Sequence, residues 1–364
     1  MPDLRTGNAI TPSKAGFAMP AEWTPHAGCW MIWPERTDNW RLGAKPAQKA
    51  FAQVATAISR FEPVTMLVNA AQYANARALL PLEVRVVEMS SNDAWARDIG
   101  CSFLLSKTGE LAGVDWPFKS WGGLYFPWDK DDAIAEKILQ IERAKRFRAP
   151  LVIEGGAFHV DGEGTALVVE QCVLNKNRNP DVRRHDMERM LKDYLGVSHV
   201  ICLKNGIPYD ETDGHVDNLA CFVRPGVVLL SWCEDPSDLH YQISREAEAL
   251  LTNAHDAKGR KLVIERIPMP TPMFYTQEEA EGVDATASGM NRKAGERLAG
   301  SYVNFYIANG AIIAPAFGVE TDEPARDALA RLFPEREIVM VPAREILLGG
   351  GNIHCITQQQ PKAI

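Results

Sequence analysis

The 364 residues contain no Cys-x-x-Cys pair and no His-Glu-x-x-His run, so neither a thiolate zinc cluster nor a zinc-peptidase helix is signalled. The seven cysteines (29, 101, 172, 202, 221, 233 and 355) are odd in number and lack paired spacing, which argues against a disulfide framework. No apolar run is long enough to span a bilayer. The opening stretch MPDLRTGNAITPSKAGFAMP lacks the apolar centre of a secretory signal. Basic residues do not predominate: 39 Lys and Arg against 47 Asp and Glu leave a net charge of −8, the wrong sign for a nucleic-acid footprint. Reduced thiols without an export signal point to the cytoplasm, with no membrane and no nucleic acid as partner. An acidic balance suits a small cationic substrate.

What the chain does have is repetition. A short apolar run at 29–33 ends at Pro34. A helix from about residue 46 follows, with Phe51, Val54 and Ile58 on one face, then strands at 64–68 and 84–89 around a short helix over 73–80. The second round has hairpin strands at 101–105 and 111–115, a helix opened by Asp129 or Asp131, and a strand at 151–154. The third has strands around Phe158 and at 165–170, a helix opened by Asn179-Pro180, and a strand at 199–203. The fourth runs through 219–223, 227–231, a helix opened by Asp235-Pro236, and 262–266. The fifth runs through 302–306, 311–314, a helix near 322–324, and 337–341. These last strands end at a mean spacing of roughly 60 residues, a repeat signature. The first round lacks one hairpin strand, which 352–357 is placed to supply, closing a ring. The reading is therefore an α/β fold: a polar tail over 1–16, then one domain over 17–364 built as a five-bladed propeller of ββαβ units. An open α/β sheet is the plainer alternative.

A ring of repeats predicts that the segments following each last strand meet at one end. Those segments hold nearly every chemically interesting residue. Gly349-Gly350-Gly351 precede Asn352-Ile353-His354-Cys355; three glycines before a thiol are hard to explain as packing, so Cys355 is read as a nucleophile. His215, between Gly214 and Asp217 in a stretch with Asp210, Glu211 and Asp213, suits an acid/base. Asp98, Glu154 and Asp217 each end an apolar stretch beside Gly or Arg. Their plain reading is capping or ion pairing, with Arg97 as a partner. Their functional reading is recognition of a planar cation, since carboxylates pair with guanidinium N–H groups and several buried carboxylates need a cation among them. His215-x-Asp217 and His354-Cys355 do not make a convincing metal set, because neighbours on a strand face opposite sides. No metal and no cofactor are expected. The Pro- and Gly-punctuated stretch 268–301 reads as a lid or a disordered loop.

The motifs MPAEW (19–23), NDAWARD (92–98), SWGG (120–123), EGG (154–156), TDGHVDN (212–218), SYVNFYIANG (301–310) and GGGNIHC (349–355) resemble those of the agmatine deiminase family, from about Met19 to the C-terminus. The resemblance implies the pentein fold and hydrolytic deimination of agmatine through a covalent cysteine adduct. Cys355 is then the nucleophile and His215 the acid/base. Asp98 and Asp217 hold the guanidinium, and Glu154 orients and balances charge. Trp95, Trp121, Asp210, Glu211 and Gly350 are assigned to the substrate, the first four around the distal ammonium. The resemblance also implies a homo-oligomer. A deiminase of free or peptidyl arginine, an amidinotransferase, or a non-catalytic binding protein of the same fold are the competing readings.

Overall fold

The computed structural model describes residues 10–287 and 289–363. The chain forms a mixed α/β fold of five small sheets. The fourth shows the plan. Ala220–Arg224 and Val227–Trp232 form an antiparallel pair, the helix Leu239–Asn253 crosses over, and Val263–Pro268 returns parallel to the second strand. The fifth sheet (Tyr306–Ala308, Ala311–Ala316, Glu337–Pro342) repeats it around the helix Asp322–Leu332, and the third (Phe158–Val160, Thr165–Val169, His199–Leu203) around Arg184–Leu195. The second adds Phe17–Ala18 to Ser102–Ser106, Leu111–Asp115 and Lys145–Arg148. In the first, His26–Ile32, Val64–Val68 and Arg85–Glu88 run parallel, and the antiparallel fourth strand comes from the C-terminus.

Burial grades outward within each sheet. Every residue of Thr165–Val169 and of Val227–Trp232 is buried, as a strand covered on both faces requires. The outer parallel strands are more exposed. Lys145–Arg148 is the extreme case: only Phe147 is buried, while Arg146 and Arg148 pair with the buried Asp115 at 2.7 and 2.6 Å. That strand was expected at 151–154 because the apolar run is there. The run is instead a buried extended segment with no strand partners, leading into Glu154.

Several expected boundaries move for local reasons. The helix expected at Asn179-Pro180 begins at Arg184, because the Asn179 carboxamide bonds both the N–H (3.1 Å) and the carbonyl (2.8 Å) of Val152. Asp235 caps its own turn through Ser237, leaving Asp238 to cap the helix at His240 N, 2.9 Å away. Asp131 accepts from the backbone of Asn92 and Asp93. Of the expected tail over 1–16, residues 1–9 lie outside the described residues; Ser13 N donates to Asp193 O at 3.0 Å, and the chain then enters the second sheet.

Two corrections bear on the site. The strand at the C-terminus is Gln358–Pro361, pairing with residues 26–30, whereas 352–357 is a series of turns closed by Ile356 N to Asn352 O and Thr357 N to His354 O. Likewise 301–305 is a loop, with its strand starting only at Tyr306. Cys355 and Asn304 thus sit on tight loops. The stretch 268–301 (residue 288 excepted) leaves the strand Val263–Pro268, makes one isolated antiparallel bridge between Phe274 and Arg297, and holds the helix Gln277–Glu281, entered by a Thr276/Glu279 capping box. Tyr275 Oη donates to Leu348 O at 2.9 Å, fastening it to the run before the glycines. Among the described residues no helix is long and apolar enough to cross a membrane.

Candidate active site

Four chain segments bring the expected chemistry together. Asp98 lies on the one-turn helix Ala96–Ile99, whose Arg97 N donates to Cys355 O at 3.1 Å. Glu154 precedes the turn Gly155–Ala157, and His215 the turn Val216–Asn218 that carries Asp217. Cys355 Sγ lies 3.7 Å from Asp217 Oδ2. His215 Nδ1 is 3.8 Å from Asp98 Oδ2, and its Nε2 3.5 Å from Glu154 Oε2. Both ring nitrogens of His215 are buried without a hydrogen bond, so the ring is free to take or give a proton on either side.

The glycines are explained by what a side chain would strike. A Cβ on Gly156 would stand 2.6 Å from His215 Nδ1, 2.8 Å from Asp217 Oδ2 and 3.1 Å from Asp98 Oδ1, the centre of the cluster. Gly156 N also donates to Asp98 Oδ1 at 2.9 Å. On Gly349 it would strike Trp40, and on Gly351 Trp95, each at 2.4 Å. Gly350 has φ +102° and faces Glu211. Gly156→Ala is expected to fold yet lose roughly 100-fold in kcat, by displacing His215 or Asp217; steady-state kinetics beside a thermal melt checks this.

The charges are strongly coupled. Burial opposes ionisation of Glu154, but Arg178 (Nε to Oε1, 3.1 Å) and His215 outweigh it and bring the carboxyl down to about 2. Burial also opposes the His215 imidazolium; Asp98, Cys172 and Glu154 overcome it and raise the ring well above its ordinary value. Burial raises Asp98, with Asp217 and Glu154 adding to the rise and His215 opposing it. Burial, then Asp217 and Asp98, push the Cys355 thiol far up. The protein's own charges therefore favour a protonated thiol and an imidazolium.

Glu154→Gln would leave Arg178 buried without its charge partner. It is expected to cost about 3 kcal/mol of stability at pH 7. A carboxyl lowered to about 2 stabilises the fold above its unfolded value near 4.3 and ceases to as pH falls toward 2, so the gap between wild type and variant should narrow in acid. Urea denaturation at pH 7 and pH 4 measures it.

A recess opens over the thiol, lined by Trp95, Asp98, Trp121, Tyr125, Glu211, the three glycines and Cys355 among others. Trp95 stacks on Trp40 (centroids 5.0 Å apart) and meets Trp121 edge-on, while Trp121 Nε1 donates to Asp98 Oδ2 at 2.8 Å. Asp210, expected there, is turned away: its carboxylate accepts from Thr212 N, His215 N and Asn218 Nδ2, holding the His215 turn. Glu211 does reach the recess but is already ion-paired with Arg292, from the 268–301 stretch. That Arg292 also donates to Tyr125 Oη (2.9 Å) and Gly349 O (3.2 Å).

Other functional candidates were missed. Arg178 bridges Glu154 and Asp213. His354 Nδ1 lies 2.9 Å from Asp217 Oδ2 and its Nε2 2.9 Å from Glu22 Oε1, a buried carboxylate–imidazole–carboxylate chain that Arg97 joins at Glu22. Burial and Arg97 oppose its imidazolium, but Glu22 and Asp217 prevail and raise it. The MPAEW motif contained this signal in Glu22, and SYVNFYIANG contained Asn304; Tyr125 and Arg178 carried none. Glu154, Cys172 and His215 bring possible metal ligands within 4.8 Å of one another, but Arg178 already supplies the positive charge beside Glu154.

Comparison with known proteins bears on this site. The model of the Porphyromonas-type peptidyl-arginine deiminase family matches residues 18–361. The chain is 57% identical over 357 residues to an agmatine deiminase of Pseudomonas aeruginosa, covering 96% of this chain and 97% of that one. A solved agmatine deiminase of Enterococcus faecalis, described as catalysing its reaction, superposes with a TM-score of 0.96 at 45% identity, covering 98% of this chain and 99% of that one. A cysteine-to-serine variant of a C. jejuni agmatine deiminase, with substrate bound, gives 0.83 at 25% identity, over 96% and 97% of the two chains.

Proposed function

The chain belongs to the Porphyromonas-type peptidyl-arginine deiminase family, and on that premise we propose that it hydrolyses agmatine to N-carbamoylputrescine and ammonia. The observation that carries the reading is a recess lined by the Cys355 thiol, Asp98 and two tryptophans, with Asp217 Oδ2 3.7 Å from the thiol and His215 Nδ1 3.8 Å from Asp98 Oδ2. A flat guanidinium would lie against the Trp walls, and its charge answers Asp98 and Asp217. The same cation offsets the carboxylate charge that, with burial, keeps Cys355 protonated.

The Cys355 thiolate attacks the guanidinium carbon, forming a C–S bond. The His215 imidazolium gives its proton to one NH₂ group, which leaves as ammonia. The result is a thiouronium that still carries the aminobutyl chain. Water then adds to the same carbon as His215 takes one of its protons; the C–S bond breaks, regenerating the thiolate, and the remaining hydroxyl proton passes to ammonia or solvent as the neutral ureido product is released. Glu154, held ionised by Arg178, keeps His215 charged for the first half. The distal ammonium extends toward Glu211 at the mouth.

Agmatine is favoured over arginine because the cation nearest the mouth, Arg292, is neutralised by Glu211 and offers no clamp for an α-carboxylate. kcat/KM for agmatine is expected to exceed that for free arginine by at least about 100-fold; ammonia release from the two substrates measures it, and a preference for arginine would contradict the assignment. We further read the five sheets as blades of one closed propeller. The pairing of Gln358–Pro361 with the first sheet, and the convergence of four separate segments on Cys355, support this. Seven free thiols accord with a reducing, cytoplasmic setting.

A further inference from the structure

We infer that Asn304 is a catalytic residue whose side-chain N–H stabilises the Cys355 thiolate; this rests on Cys355 being the nucleophile. Asn304 is fully buried, on the loop that precedes Tyr306–Ala308. Its Oδ1 accepts from His354 N at 3.0 Å and Cys355 N at 3.3 Å. Two backbone donors on one side fix which end of the amide is oxygen. Nδ2 then lies 2.9 Å from Asn218 Oδ1, 3.2 Å from Cys355 Sγ and 3.4 Å from Asp217 O. One hydrogen goes to Asn218, and the other points at the sulfur.

The sulfur needs that donor. Its other close polar neighbour, Asp217 Oδ2 at 3.7 Å, is a carboxylate that opposes a negative charge. While the thiol is protonated, its S–H has acceptors in Asp217 Oδ2 and in Asn304 Oδ1, 3.5 Å away. Once the proton leaves, those contacts turn repulsive and the Nδ2 hydrogen bond becomes charge-assisted. The backbone of Asn352 acts in the same sense. Asn304 does not line the recess, so it approaches the sulfur from behind and leaves the substrate's binding surface untouched. Its contribution is specific to a state in which sulfur carries charge, which is the kind of interaction that raises kcat without changing KM.

The test compares Asn304→Ala and Asn304→Asp with wild type in steady-state turnover of agmatine and in the rate of Cys355 alkylation by iodoacetamide between pH 6 and 10. In both variants alkylation at a fixed pH below the thiol's own pKa should fall roughly tenfold or more, and kcat by about 100-fold with KM changed less than about threefold. Asn304→Asp keeps the oxygen that accepts the two backbone N–H groups, so it decides the matter if the alanine variant does not fold. An unchanged alkylation–pH profile, or a loss confined to KM and melting temperature, would overturn the inference and leave the nucleophile reading intact. An active Cys355→Ala would overturn the nucleophile reading itself.

Discussion

Ammonia release from agmatine is expected to disappear when Cys355 is replaced by alanine, a loss of at least roughly 10⁴-fold in kcat. The size follows from the chemistry: both halves of the reaction pass through a bond to this sulfur, and the carboxylates, tryptophans and histidine around it cannot replace it. The fold should be indifferent, because Cys355 sits on a turn, 6% exposed, and alanine keeps its backbone bonds to Arg97 N and Asn304 Oδ1. Binding should survive or tighten, since removing a thiol from beside Asp217 and Asp98 leaves both carboxylates for the cation. Calorimetric titration of Cys355→Ala with agmatine, beside an ammonia assay, separates the two effects. Retained turnover would remove Cys355 from the nucleophile role.

His215→Gln is expected to lower kcat by about 1000-fold, because one ring serves as acid in the first half-reaction and base in the second. The sign of the pH effect is definite. Asp98, Cys172 and Glu154 raise the imidazole above its unfolded value despite burial, so the protonated form persists through neutrality. A raised group stabilises the folded state fully below its unfolded value near 6.5 and ceases to do so as pH rises through the folded value. The wild type's stability advantage over His215→Gln should therefore be largest in mild acid and fade in alkali, as should its rate of ammonia expulsion. A stability gap that instead grew with pH would show that the ring is neutral in the folded protein.

The round of hairpin, helix and strand was readable because the buried middle strands are continuous apolar runs and the crossover helices have clear one-sided faces. It failed where polarity misled. Lys145–Arg148 is a strand with one buried residue, supported by Asp115, and nothing in its composition signals sheet. The convergence of Cys355, His215, Asp98, Glu154 and Asp217 was legible because glycine and carboxylates crowd them in four separate segments. Asp210 was misjudged because a carboxylate in such a crowd looks like a ligand when it is holding a turn. Glu22, Asn304 and Arg178 could not be ranked: each acts through a contact more than twenty residues away along the chain, and spacing says nothing of that.

Mass spectrometry of protein quenched in acid during turnover, in wild type and in the slower His215→Gln, tests the account most directly. The account predicts an adduct on Cys355 weighing one agmatine less one ammonia, and no adduct on the other six cysteines. An unmodified Cys355 throughout turnover, or an amidino group alone on its sulfur, would contradict it, the latter marking amidino transfer in place of hydrolysis.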